Sequence, residues 1–223
     1  MTYTRFAIYD APDEDRLADF GAAWLGWDVR TGSAARQLDL PGLNDITMTP
    51  RKYGFHGTLK PPFRLAEGRS LDELQASVAD LAGRCAPAQS GGLTLTTLGG
   101  FLALIPTGDL SGVERVASAC VRSLDPFRAP ASEAELARRR SAGLSARQEA
   151  LMLAWGYPYV MEEFRFHLTL SGRLPEADRV TWTTTAHAHL PPLADRYDLG
   201  SIALCGERPD GRFELIQRYA LTG

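Results

Sequence analysis

The chain has 223 residues, 44% of them hydrophobic and 9% aromatic, which suits a packed core in one large domain or two small ones and excludes a disordered or fibrous chain. Its apolar stretches, such as Leu102 to Ile105, are far shorter than a membrane span, and Met1-Thr2-Tyr3-Thr4-Arg5 holds no apolar signal region, so a soluble, untargeted protein with no membrane partner is expected. A net charge of −3 gives no basic footprint for long RNA, and the scattered Cys85, Cys120 and Cys205 suggest neither a disulfide framework nor a thiolate zinc site and fit a reducing cytoplasm.

Arg5-Phe6-Ala7-Ile8-Tyr9 reads as a strand, and residues 13–27 as a helix with Leu17, Phe20, Ala23, Trp24 and Trp27 at apolar positions. Gly32 and Ser33 open an irregular region. Residues 55–59 read as a buried strand that Pro61 and Pro62 end, because proline cannot donate to a ladder. Ser70-x-x-Glu73 forms a capping box for a helix running to about Cys85. Residues 93–98 and 101–105 read as a hairpin about Gly99-Gly100, and a helix follows over 110–124. The stretch 132–155 is rich in Ala, Leu, Glu and Arg and is expected to be helical with a break near Gly143; its Arg138-Arg139-Arg140 run is read as a solvated face. A second motif strand over 165–171, a helix over 175–190 and a hairpin over 199–219, turning at Pro209-Asp210-Gly211, complete the chain.

Each half thus runs motif strand, helix, hairpin, and Phe101-x-x-Leu104-Ile105 resembles Phe213-x-Leu215-Ile216. This pattern predicts an internal duplication in a single two-lobed domain spanning 1–223, with one motif lobe around 50–125, the other around 160–220, and a helical insertion at about 132–157.

The motif itself is Phe55-His56-Gly57-Thr58-Leu59 and Phe166-His167-Leu168-Thr169-Leu170, and it contains two of the four histidines. Agreement at three neighbours has a chance probability of roughly one in ten thousand per pair, given ordinary residue usage. On a strand, His56, Thr58 and Lys60 share one face, as do Arg165, His167, Thr169 and Ser171. If a pseudo-twofold axis relates the halves, the two polar fronts meet in a central cleft. Two imidazoles and two hydroxyls suit a phosphodiester. One neutral imidazole activates water, one protonated imidazole donates to the leaving oxygen, and the threonine hydroxyls hold the non-bridging oxygens. Which histidine takes which role is open at the level of sequence.

These paired His-x-Thr motifs in duplicated halves resemble the two-histidine (2H) phosphoesterase superfamily, which includes RNA 2',3'-cyclic phosphodiesterases and RNA ligase-like proteins. Tyr53-Gly54-Phe55-His56-Gly57-Thr58-Leu59-Lys60-Pro61-Pro62-Phe63 and Phe164-Arg165-Phe166-His167-Leu168-Thr169-Leu170-Ser171-Gly172-Arg173-Leu174 are more narrowly similar to a branch found in bacterial phosphonate-utilisation operons. The resemblance implies a duplicated α+β fold of antiparallel sheets with flanking helices, no metal and no cofactor. It also implies catalysis by His56 and His167, with Thr58 and Thr169 on phosphate. Its branch implies a small phosphorylated substrate, a cyclic ribose phosphate such as 5-phosphoribosyl 1,2-cyclic phosphate or a cyclic nucleotide. RNA end processing or ligation, and a phosphate-binding module without turnover, are the rival readings.

Lys60 and Arg165 are candidate charge partners, and Tyr53 and Tyr9 weaker candidates for substrate contact, each with an ordinary packing or solvated alternative. His187 and His189 have no carboxylate or cysteine at ligand spacing and are expected at the surface rather than on a metal.

Overall fold

The structure, a computed structural model, describes residues 2–13 and 15–223. Met1, in the terminal stretch read above, and Glu14, inside the expected first helix, lie outside the described residues.

In chain order the strands are β1 (Phe6–Asp10), β2 (Gly57–Phe63), β3 (Ala88–Gly91), β4 (Leu93–Leu98), β5 (Phe101–Pro106), β6 (Leu168–Thr169), β7 (Arg196–Leu199), β8 (Ser201–Glu207) and β9 (Phe213–Ala220). The helices are α1 (Arg16–Leu25), α2 (Leu43–Arg51), α3 (Leu71–Arg84), α4 (Ser111–Ser123), α5 (Glu133–Arg140), α6 (Ala146–Trp155) and α7 (Glu176–His189). Seven strands form an antiparallel sheet in the order β4-β5-β6-β2-β1-β8-β9, and β3 pairs with β7 in a small second sheet. The class is the α+β expected from the sequence.

The duplication is present in the sheet order, in a different register from the one expected. Exchanging β1, β2 and β4 with β5, β6 and β8 maps β4-β5-β6 onto β8-β1-β2, so the axis passes between β6 and β2. The repeating unit is therefore strand, helix, motif strand, helix, then two strands. Phe101 opens β5, the counterpart of β1, whereas Phe213 opens the extra edge strand β9. Their resemblance is not a repeat equivalence.

Helix starts follow their capping residues. Asp15 accepts from the Ala18 amide at 2.7 Å, and Ser70 and Glu73 cap α3 reciprocally. The stretch 132–155 forms α5 and α6, separated around Gly143. α2 occupies the region read as irregular, since its threonines and internal Pro50 conceal a helical pattern.

The prolines do not end the first motif strand. β2 runs through Pro61 and Pro62 to Phe63, because two register shifts against β1 relieve the ladder of the donors that proline lacks. The second motif strand is only two residues long, and both motif histidines stand just before their strands.

All of β1 is buried, and it divides two apolar clusters. Phe6 and Ile8 join the main core with Phe20 and Trp24 of α1, Leu74 and Val78 of α3, and Val113 and Val116 of α4. Ala7 and Tyr9 join a smaller cluster with Val29, Ala203, Cys205 and Phe213. Buried Asp10 accepts a 2.6 Å bond from the Tyr197 hydroxyl, tying β7 to β1, and burial raises its carboxyl to about 6. No helix among the described residues is long and apolar enough to cross a membrane.

Candidate active site

The two motifs meet at the centre of the sheet. β2 and β6 are antiparallel neighbours with Gly57 opposite Leu168. Extending that register by one residue on each side sets His56 across from Thr169 and Thr58 across from His167. Cross-strand neighbours lie about 5 Å apart at Cβ, so the four polar groups form one compact patch. The polar fronts thus adjoin on neighbouring strands.

Backbone carbonyls aim both rings. His56 Nδ1 is 3.0 Å from the Gly54 carbonyl, and His167 Nδ1 is 2.7 Å from that of Arg165. A carbonyl only accepts, so each Nδ1 carries the proton and Nε2 becomes the reactive nitrogen in the neutral ring. At His56 the Thr58 hydroxyl occupies that nitrogen, with Oγ1 3.0 Å from Nε2. Gly54 can present its carbonyl because it is glycine: its φ is +73°, and a Cβ would lie 2.6 Å from Val29 Cβ.

The rings sit in different surroundings. Tyr9, fully buried, stacks on His56 with ring centroids 3.7 Å apart and planes 27° from parallel. Tyr9 lies opposite Thr58 in the β1–β2 ladder, and its counterpart opposite Thr169 in the β5–β6 ladder is Ala103. His167 instead meets Phe101 obliquely at 5.5 Å. Burial is the main cause that pushes His56 down to about 4; the neighbouring His167 adds to the shift and the Gly54 carbonyl opposes it. Burial also lowers His167, against the Arg165 carbonyl.

Tyr53 is half-buried, its ring 6.3 Å from His56 and 5.3 Å from Phe213, with the Lys52 ammonium 5.0 Å from its centroid. Arg165 has an exposed side chain, and its contact with His167 is through the carbonyl. Lys60 requires a correction. The register shift between Ile8 and Tyr9 breaks the alternation after Thr58, and the Lys60 ammonium donates to the Val121 carbonyl of α4 at 3.1 Å, with Asp125 at 3.9 Å. Burial lowers it to about 8, against the Asp125 charge. Ser171 is likewise engaged with backbone, accepting from the Leu102 amide and donating to the Gly172 carbonyl.

Sequence reasoning missed the aiming carbonyls and Phe101. The shared signal for the former is that each carbonyl stands two residues before its histidine. His187 and His189 are exposed at the end of α7. No group of three or more His, Cys, Asp or Glu among the described residues is placed to share a metal ion.

The fold is similar to that of TT0787 from Thermus thermophilus, with a TM-score of 0.50, 14% identity and 98% of each chain covered. LigT from E. coli complexed with 3'-AMP also aligns over the full length of both chains, with 17% identity and a TM-score of 0.46. Residues 58–214 match the family described as a protein of unknown function, DUF1045, and the chain belongs to that family. Curated relatives called ribose 1,5-bisphosphate phosphokinase PhnN, from Janthinobacterium sp. (strain Marseille) and Laribacter hongkongensis (strain HLHK9), are each 40% identical over 78% and 83% of this chain. The chain spans 40% and 44% of those relatives' own lengths.

Proposed function

We propose that this protein is a cyclic phosphodiesterase that opens a small cyclic phosphate ester with His56 and His167 as the acid and base pair. The observation that supports this reading is the β2–β6 register, which, continued by one residue each way, brings both imidazoles and both threonines onto adjoining strands. Thr58 and Thr169 donate to the non-bridging oxygens; on binding, the phosphate draws the Thr58 hydroxyl off Nε2 and frees it for water. Both proton transfers are made by side chains of this chain, so turnover is expected to persist in excess chelator.

The substrate we favour is 5-phosphoribosyl 1,2-cyclic phosphate. Water adds to phosphorus, the bond to ribose O2 breaks, O2 takes a proton, and the phosphate stays on O1. The product is ribose 1,5-bisphosphate, the compound in the name of the PhnN relatives. Three free cysteines suit such a protein in a reducing cytoplasm.

The test is an assay in excess chelator on this compound, nucleoside 2',3'-cyclic phosphates and short RNA, read by phosphorus NMR. Ribose 1,5-bisphosphate is the expected product. Opening of nucleoside cyclic phosphates with the ribose compound untouched overturns the substrate, and tight binding without turnover overturns the reaction.

Lys60→Met discriminates the placement of that lysine. Asp125 keeps Arg128 at 2.8 Å, and an apolar side chain replaces a desolvated charge, so stability should change by less than about 2 kcal/mol and kcat by less than about threefold. Denaturant titration and steady-state kinetics check both; a loss of about 10²-fold in kcat would place the ammonium at phosphate instead.

A further inference from the structure

We propose that Tyr9 is a positioning residue that breaks the symmetry of the duplicated site, holding His56 as the neutral base and leaving His167 as the proton donor. This rests on the phosphodiesterase reading and assigns the roles within it.

In the repeat Thr58 and Thr169 are equivalent, and so are the residues opposite them in the flanking strands, Tyr9 in β1 and Ala103 in β5. A tyrosine at one position and an alanine at the other give the two imidazoles different walls. Tyr9 is fully buried and lies almost flat on His56, so one ring face is closed to water and the ring plane is fixed. A cation so covered loses hydration, which favours the neutral ring; the pull of the Tyr9 π face on an imidazolium opposes this, and burial is the leading cause of the net lowering at His56.

The Tyr9 hydroxyl is buried without a hydrogen-bond partner among the described residues, so the stack rather than a bond from that oxygen holds the pair. The other charged and titratable groups nearby do not supply a counter-charge to His56. They are Tyr53 and Lys52 before the motif, His167 and Arg165 in the second motif, and, beyond Tyr9, Cys205 with the paired Arg5 and Glu207. His167 is the one whose charge acts on His56, and it disfavours the cation there.

Protons balance along this route. Water gives its proton to His56 Nε2 as its oxygen bonds phosphorus, and His167 Nε2 gives its proton to the departing sugar oxygen. His56 ends protonated and His167 neutral, and exchange with solvent restores both.

Each role fixes one limb of the pH profile. His56 must be neutral, so kcat/KM rises through the value of about 4 to which burial pushes it. His167 must be protonated, so kcat/KM falls as that imidazole loses its proton, below the ordinary histidine value.

Two measurements test the assignment. In substrate-free protein labelled at the imidazole nitrogens, NMR titration should show His167 taking a proton first as pH falls, while His56 stays neutral with Nδ1 protonated. The reverse order overturns the proposal. In kinetics, Tyr9→Leu should move the acidic limb of kcat/KM up by about one pH unit and leave the alkaline limb in place, whereas Tyr9→Phe should keep the wild-type profile. A moved alkaline limb, two unmoved limbs, or a Phe variant that behaves like Leu each overturns it. The titration needs no turnover: inactive protein with the expected order counts against the phosphodiesterase reading alone, and active protein with the reverse order counts against Tyr9 alone.

Discussion

Replacing either His56 or His167 with alanine is expected to lower kcat for cyclic phosphate opening by about 10²- to 10⁴-fold, with KM nearly unchanged. In the proposed mechanism the proton transfers occur in the transition state, whereas ground-state binding is assigned to the hydroxyls of Thr58 and Thr169, which remain in both variants. The double variant should be far less impaired than the product of the two single losses, because either deletion already breaks the paired transfer. Stability should change little. His56→Ala loses the stack on Tyr9 and the bond to Gly54, together worth roughly 1–2 kcal/mol, and His167→Ala loses a half-buried ring and one carbonyl bond. Single-turnover kinetics with a thermal melt on the same samples separate the effects; wild-type kcat in either variant would refute the mechanism.

The candidate site is legible in the sequence because a repeated five-residue motif is local, and a half-apolar, half-polar strand declares its two faces. What escaped was whatever depends on which strand lies beside which. The sheet order makes β5 the partner of β1 in the repeat, and no local pattern in Phe101 to Pro106 announces that. Strict alternation also misplaced Lys60, since the bulge in β2 inserts a residue just after Thr58, and it overlooked that Pro61 and Pro62 can sit in a strand whose register is already broken. Tyr9 is inconspicuous in the sequence because its stack on His56 comes from standing opposite Thr58 across a ladder that joins residues far apart in the chain. Arg165 stands out in the sequence by its charge, whereas its carbonyl is the group that touches His167.

Gly57→Ala is expected to destabilise the protein by about 1–3 kcal/mol and to cost more in kcat than the loss of folded protein explains, on the order of 10²-fold. A Cβ at Gly57 would lie 2.3 Å from Cζ and 2.4 Å from Cε2 of Phe166, so the ring or the strand must shift. Either movement acts on the site, since Gly57 joins His56 to Thr58 and Phe166 precedes His167. For a chain of this size the stability term corresponds to a fall in Tm of roughly 2–4 °C per kcal/mol. Phe166→Leu in the Gly57→Ala background should recover part of both losses, and a double-mutant cycle should show coupling of about 0.5–3 kcal/mol. An alanine variant with wild-type Tm and kcat, or additive single and double variants, would contradict this packing account. The same contact explains why the motifs differ at their middle residue. With β2 and β6 side by side, the backs of both motifs face one core, and Phe166 and Leu168 fill it from the second copy. The first copy keeps Phe55 against Gly21 and leaves the shared position empty at Gly57, which gives Phe166 room between the two strands.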